Sequence, residues 1–423
     1  MTTTLLKNVQ FMDPRGFFEQ TLDLYLKDGI IKKIAPKIDD PADKELDLTG
    51  KWICPGFVDV HVHLRDPGFP EKETLETGSQ AAIAGGFTHL VAMANTKPIM
   101  DNPQEIQKFY QKAEKMPIYI YTVSGLTKAL RGKELVDMEG AIKAGALGFS
   151  DDGFPLTDMG ILHQAFQKAL ELDVPLSFHE EDPKFMANQG ISSGLLAESM
   201  GMGGAEPFSE YSFIARDGAL ALKYGTKVDI QHISTKAGAC LVKTYYDLGA
   251  NILGEFTPHH LNFTTDIIKE HGPNARMNPP LRLQEDVEGL RDLLKENCFV
   301  LATDHAPHTA QEKSRPFKSS PSGIVGLEVA FPMAYKATVE EEKATIKELL
   351  EAMTYRPADF YSLPYWGLEE GKEANFNIID PDMPWTIDKD TWKGKSSNSP
   401  YEGQEVKGKI LGTFVKGQWH QVK

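Results

Sequence analysis

The pattern of apolar and polar positions divides the chain into stretches of two textures. Residues 1–54 alternate short apolar runs with turn residues. Leu22 to Leu26 has a two-residue period, and Lys27-Asp28-Gly29-Ile30-Ile31 reads as a hairpin turn into a further strand. From about residue 365 this texture returns, with short strands predicted at Phe376 to Ile379, Lys409 to Leu411 and Thr413 to Val415. Neither end holds enough apolar residues for a core of its own. Residues 1–54 and 365–423 are therefore expected to join in one small β-sandwich domain built from both termini. Residues 55–364 instead alternate apolar runs with amphipathic segments. Strands are predicted at Phe57–Leu64, Thr88–Ala92, Ile118–Val123, Ala146–Phe149, Val174–His179, Val228–Ile233, Ile252–Phe256 and Phe299–Thr303, with helical patterns such as Asp158–Leu172 and Glu285–Lys295 between them. Buried strands alternating with helices predict an α/β fold, a (β/α)8 TIM-type barrel; a doubly wound open sheet is the alternative. The longest polar loop, Thr309 to Ser320, is expected to be a mobile lid beside the last strand.

Composition narrows the class. At 423 residues, 41% hydrophobic and 25% charged, the chain has an ordinary globular balance and room for one large and one smaller domain. Its 45 Lys and Arg against 60 Asp and Glu give a formal charge of −15, which excludes nucleic acid and anionic membrane as main partners. A small anionic substrate stays open, because bound metals and one arginine can reverse the local field. Cys54, Cys240 and Cys298 form no CxxC and suggest no disulfide framework. Met1 to Phe11 shows no leader pattern, and no run approaches the ~20 apolar residues of a membrane span. A cytoplasmic protein is expected.

Candidate chemistry begins in Val58-Asp59-Val60-His61-Val62-His63-Leu64-Arg65. Alternate strand residues share a face, so His61 and His63 could grip one metal ion, although two satisfied histidines at a strand end would look the same. Further candidates shift that balance. His179, His232, Asp304 and the pair Asp151 and Asp152 each follow a predicted strand, where a barrel gathers its active site. His89, His163, His271 and His420 lack this placement and read as ordinary. Four imidazoles with carboxylates suit two zinc-like ions, which points to metal-assisted hydrolysis with Asp304 as a proton acceptor. No flavin or nicotinamide glycine fingerprint follows any strand.

The run Asp59-Val60-His61-Val62-His63-Leu64-Arg65-Asp66-Pro67-Gly68 resembles the signature of the dihydroorotases of the bacterial class I type. The resemblance continues through Ala94-Asn95-Thr96, Ser150-Asp151-Asp152-Gly153, Phe178-His179-Glu180, His232-Ile233-Ser234, Thr257-Pro258-His259-His260-Leu261 and Met277-Asn278-Pro279-Pro280-Leu281-Arg282. Its most specific part is Thr303-Asp304-His305-Ala306-Pro307-His308; Gly371-Lys372-Glu373-Ala374 and Gly417 fit the family's terminal β-domain. The resemblance implies a barrel with one or two Zn²⁺ per subunit, two being expected. His61, His63 and Asp304 would hold one ion, His179 and His232 the other, and Asp152 would bridge them. Asp304 would also be the catalytic acid and base. The implied substrates are N-carbamoyl-L-aspartate and dihydroorotate, in pyrimidine synthesis.

Arg65, two residues beyond His63, would take the substrate carboxylate, with Asn95 and His308 adding donors. Asn278 and the backbone at Ser322 and Gly323 would hold the ring amides, and His63 belongs to both the metal and the substrate sets. The family usually has Pro-Phe-Gly where this chain has Pro321-Ser322-Gly323. Hydantoinases, dihydropyrimidinases and allantoinases share the HxH strand but bridge their metals with a carboxylated lysine. Here the fourth strand ends in Ser150-Asp151-Asp152, and the nearest lysine, Lys143, lies in a helical stretch. A hydantoin- or allantoin-type amidohydrolase is the alternative enzyme. A non-catalytic scaffold for aspartate transcarbamoylase is a further alternative. A homodimer and a complex with that transcarbamoylase both remain open.

Overall fold

The structure is a computed structural model describing residues 2–422. The N-terminal alternation forms β1 (Thr3–Met12), β2 (Phe18–Lys27), β3 (Ile30–Ala35), β4 (Lys44–Asp47) and β5 (Trp52–Pro55). The expected hairpin turn joins β2 to β3, with Asp28 and Gly29 both at positive φ. The middle of the chain supplies β6 (Phe57–Val62), β7 (Phe87–Ala92), β8 (Tyr119–Thr122), β9 (Leu176–Phe178), β10 (Val228–Ile230), β11 (Ile252–Phe256) and β12 (Phe299–Leu301). Near the C-terminus lie β13 (Phe376–Asp380), β14 (Trp385–Thr386), β15 (Glu405–Val406), β16 (Lys409–Val415) and β17 (Gln418–Gln421).

Strands from both ends share one eight-stranded sheet in the order β17-β16-β13-β5-β1-β2-β3, with β4 also paired to β1. Leu24 of β2 and Phe414 of β16 are distant in that order yet belong to one buried cluster, so the sheet folds over its own core as a sandwich. Residues 409–415 form one continuous strand instead of the two expected. A register shift opposite Ile378 and Ile379 falls where the break was expected.

The central strands pair in parallel, β6 to β8 and β9 to β12. Their residues are buried almost throughout, the mark of strands covered on both faces. The fourth expected strand, Ala146–Phe149, is reduced to single parallel bridges from Phe149 to Ser124 and Leu176. Its chain passes so close to the next strand that a Cβ on Gly148 would lie 2.6 Å from Pro175 O. The ring closes where Val62 bridges His305 and the His63 N–H donates to His305 O at 2.9 Å. Val58, Val91, Leu253 and Val300, drawn from across the ring, share one cluster, so the interior is packed.

Helices cover the ring. In Met159–Leu172, Asp158 caps the first turn and the buried residues Leu162, Ala165, Phe166 and Ala169 repeat at helical spacing. Burying Leu162 and Phe166 contributes about 1.5–3 kcal/mol each. The loop expected as a mobile lid contains instead a helical turn, Ala310–Lys313, with Thr309 and Glu312 in a capping box. Lys313 is buried and donates to Pro273 O and Pro321 O, each at 2.9 Å, which ties the loop down at both ends.

Gly56 joins the terminal sheet to the first barrel strand. Its N–H donates to Asn375 O and its carbonyl accepts from Tyr365 Oη at 2.7 Å, while a Cβ would meet Thr88 Cγ2 at 2.2 Å. Gly56→Ala is expected to cost about 1–3 kcal/mol through this overlap, read as a lower urea midpoint. An unchanged midpoint would show that the junction has slack.

Candidate active site

The candidate residues meet at the C-terminal ends of the barrel strands. His61 lies in β6, Asp152 follows the Phe149 bridge, His179 directly follows β9, His232 follows β10 and Asp304 follows β12. All are buried. Asp152 Oδ1 lies 3.7 Å from His61 Nε2, 3.7 Å from His179 Nδ1 and 3.6 Å from His232 Nε2, and its Oδ2 lies 3.4 Å from His63 Nε2. Asp304 Oδ1 lies 2.9 Å from His63 Nε2 and 3.6 Å from His61 Nε2. Most of these separations are too long for good hydrogen bonds. Two donors on one tetrahedral ion, each about 2.0–2.1 Å from it, stand roughly 3.3 Å apart, which is close to what is seen.

Two triads bring their donor atoms close enough to share an ion: His61, His63 and Asp304, and His61, Asp152 and His232. His179 adjoins the second through its Nδ1, 2.9 Å from His232 Nε2. The outer ring nitrogens are committed elsewhere. His61 Nδ1 pairs with Glu255 at 2.8 Å, His63 Nδ1 with Asn95 Oδ1 at 3.0 Å and His179 Nε2 with Glu181 at 2.8 Å. In the neutral rings each remaining nitrogen then turns a lone pair toward the two aspartates. His61 Nε2 is sealed from solvent without a hydrogen-bond partner. The donor chemistry is compatible with a metal ion.

The electrostatics agree. Burial would raise the Asp152 carboxyl, but the imidazoles of His179, His232 and His61 hold it well below the usual range. Burial likewise opposes the ionisation of Asp304, which His61 and His63 draw down to about 2. Burial would lower His61, yet Glu255 and Asp304 raise it well above the ordinary value. An anionic seat of this kind attracts a divalent cation, which competes with protons for the ring nitrogens.

Strain marks the same residues. Arg65, His232 and Asp304 have φ of +59°, +33° and +45°, a region that side chains other than glycine occupy only when held there. Strand alternation, expected to set His61 and His63 on one face, does not extend that far. β6 ends at Val62 and its register slips between Asp59 and Val62. The two rings still meet, with centroids 5.4 Å apart. Asp59 accepts from Thr303 Oγ1 at 2.6 Å and from the His61 N–H at 3.1 Å, locking the first and last strand ends together.

Asp151 and Asp152 separate cleanly. Asp151 Oδ1 accepts the N–H groups of Leu126 and Thr127 at 2.8 and 2.9 Å, and the Thr127 hydroxyl donates to Oδ2. Only Asp152 lines the cavity. Sequence reasoning missed Asp59, Glu181 and Glu255 as partners of the histidines. Their signal was present: Glu255 is an acid inside an apolar strand, and Asp59 continues the two-residue spacing of His61 and His63. His89, taken as ordinary, is buried against Tyr119 with centroids 4.5 Å apart.

A cavity of about 220 Å³ opens over this cluster, and its wall includes His63, Arg65, Asn95, Asn278, His308, Ser322 and Gly323. Arg65 Nε donates to Pro307 O at 3.2 Å. His308 Nε2–H donates to Ser322 O at 2.9 Å, and Lys72, paired with Glu312, approaches its Nδ1 at 3.4 Å. Asn95 Nδ2 donates to Asp152 Oδ2 at 3.0 Å, so this side chain also braces two candidate ligands. Asn278 Nδ2 lies 3.3 Å from His179 Nε2, and its Oδ1 is buried without a partner. Gly323 has φ +142°, and a Cβ there would lie 2.8 Å from Ala306 O.

Residues 50–238 match the family described as Dihydro-orotase-like, and residues 216–420 match the Amidohydrolase family. The dihydroorotase of Clostridioides difficile is 42% identical over 420 residues, 98% of each chain. That of Lactococcus lactis is 39% identical over 417 residues, again 98% of each. Among solved structures, the L-hydantoinase (dihydropyrimidinase) from Arthrobacter aurescens superposes with a TM-score of 0.87 at 24% identity, covering 99% of this chain and 96% of that one. A D-hydantoinase from a Thermus species gives 0.83 at 23% identity over 98% and 94%. These likenesses show the fold, a TIM barrel with a β-sandwich. Among the described residues no helix is long and apolar enough to cross a membrane.

Burial, then the nearby charges of Arg65, Lys313 and Lys72, push the His308 imidazole down to about 3. The unfolded ring titrates near ~6.5, so the stability from this group is complete above that pH and is lost as pH falls toward the folded value. Nitrogen-15 spectra of the imidazoles should show His308 neutral at pH 5. A titration midpoint near the ordinary value would contradict this environment.

Proposed function

The chain belongs to the dihydroorotase family of amidohydrolases, which are cyclic amide hydrolases, and on that premise we propose that it interconverts N-carbamoyl-L-aspartate and dihydroorotate for pyrimidine synthesis. The observation that carries the reading is Arg65 on the wall of the same cavity as Asp152, His179, His232 and Asp304. A hydrolytic centre beside a guanidinium suits a cyclic amide that carries a carboxylate.

The cofactor in this reading is zinc, two ions per chain. His61, His63 and Asp304 would hold one, His179 and His232 the other, and Asp152 would span both. Zinc bound there supplies Lewis acidity and makes water a nucleophile near neutral pH. The residues of the chain do the rest. Asp304, ionised at neutral pH by its histidine neighbours, takes the proton of the attacking water and returns it to the departing amide nitrogen. Arg65 spends Nε on Pro307 O and keeps its terminal nitrogens for a two-point grip on the carboxylate. His308 and Asn95 border that seat. Asn278 has an unpartnered carbonyl for a ring N–H, and the peptide at Ser322 and Gly323 takes the other polar ring edge. A backbone contact there explains how serine can stand where the family usually has phenylalanine.

Hydantoins carry no carboxylate, so Arg65 disfavours the hydantoinase alternative. Asp152 also occupies the bridging place without a lysine. A scaffold without activity would not need all six ligand residues brought together. The proposed enzyme works in the cytoplasm on small carboxylate anions.

Zinc-loaded protein should open dihydroorotate faster than hydantoin or allantoin. Chelation should abolish the activity, and added zinc should restore it. Arg65→Met should lower kcat/KM for dihydroorotate on the order of tenfold to hundredfold, chiefly through KM. Faster turnover of hydantoin or allantoin would overturn the reading.

A further inference from the structure

Glu255 has no solvent contact and carries two donors on one oxygen. Its Oε2 accepts the Nδ1–H of His61 at 2.8 Å and the backbone N–H of His232 at 3.1 Å. These donors reach both parts of the candidate centre. His61 stands in both triads, with His63 and Asp304 and with Asp152 and His232, whereas His232 stands only in the second, beside His179. The bond to His61 fixes which ring nitrogen points into the centre. The bond to His232 holds a peptide whose φ of +33° needs restraint from its surroundings. Residues just beyond are tied separately, since the N–H groups of Ser234 and Thr235 both donate to Glu210 at 2.9 Å.

Asp229 stands behind Glu255 on the neighbouring strand, and Glu255 Oε1 and Asp229 Oδ1 are both sealed from solvent without a hydrogen-bond partner. Burial, then the adjacent Glu255 charge, pushes the Asp229 carboxyl well above the usual range. Asp229 Oδ2 accepts from Tyr361 Oη at 2.6 Å and Ser177 Oγ at 2.9 Å. Two hydroxyls therefore hold the acid that stands beside Glu255.

We infer that Glu255 is a positioning residue common to both metal positions: one carboxylate oxygen orients the His61 ring and seats the His232 peptide, so the two positions gain or lose affinity together. The inference rests on the metal reading above. A buried acid that served packing alone would affect stability without linking the two affinities. Partners that orient metal-bound histidines typically change affinity by about 10–100-fold when removed.

The test is a cobalt titration of metal-stripped full-length protein, followed by visible absorption and by chelator competition. Wild type, Glu255→Gln and Glu255→Asp are compared. Wild type is expected to take two ions, and Glu255→Gln to weaken both by about tenfold or more. Should the glutamine variant fail to fold, Glu255→Asp keeps the charge but withdraws it by ~1.5 Å from both donors, and the same joint loss is expected. Weakening of one position alone, or of neither, overturns the inference while leaving the metal reading intact. A wild-type chain that binds no cobalt overturns the metal reading itself.

Discussion

The structure depends on a buried carboxylate surrounded by imidazoles. Asp152 presents Oδ1 to three histidine rings at 3.6–3.7 Å and Oδ2 to a fourth at 3.4 Å. A buried anion is costly unless neighbours compensate it. Here the compensation comes from four rings carried by three separate strand ends. None of those ends is adjacent to Asp152 in sequence, so the barrel must close before the site exists. This ordering ties function to fold more tightly than a loop-borne site would.

The supports around that carboxylate follow a shared pattern: His61, His63 and His179 each have the outer ring nitrogen engaged, so that the inner one faces the centre, while His232 is held through its backbone N–H. Asn95 serves both sides, accepting from His63 and donating to Asp152. Asp59 ties the first and last strands of the ring together. The left-handed backbones at Arg65, His232 and Asp304 lie where these supports are densest. Strain of this kind costs of order 1–3 kcal/mol per residue and persists only in an over-determined setting. The Thr309–Ser320 segment is pinned as well, by Lys313 to Pro273 and Pro321 and by Glu312 to Lys72.

Much of this was legible in the linear chain. Apolar runs marked the parallel strands, because strands covered on both faces leave little room for polar residues. The histidines and aspartates stood in or just past the ends of those runs, where a barrel gathers its functional residues. What escaped the sequence were features set by distant partners. Ala146–Phe149 looks like a strand, and its backbone does bond to both neighbours, but only Phe149 forms bridges. Arg65 looks like the next residue on a strand face, yet the strand stops at Val62. The polar segment after Thr309 looks free because Pro273 and Pro321, which hold Lys313, are not visible as partners from composition. Glu255 and Asp59 look like isolated acids until the histidine and threonine that bind them arrive from other strands.

The account stands on Asp152 as the link between two metal positions, and metal content with activity in one preparation tests it most directly. Wild type and Asp152→Ala, each loaded with zinc and freed of excess, would be compared by elemental analysis and by dihydroorotate hydrolysis. The account predicts two zinc ions and full activity for wild type, with both metal content and turnover falling sharply together in the variant. A variant that keeps its metal, or that loses an ion while hydrolysing dihydroorotate at close to the wild-type rate, would contradict it.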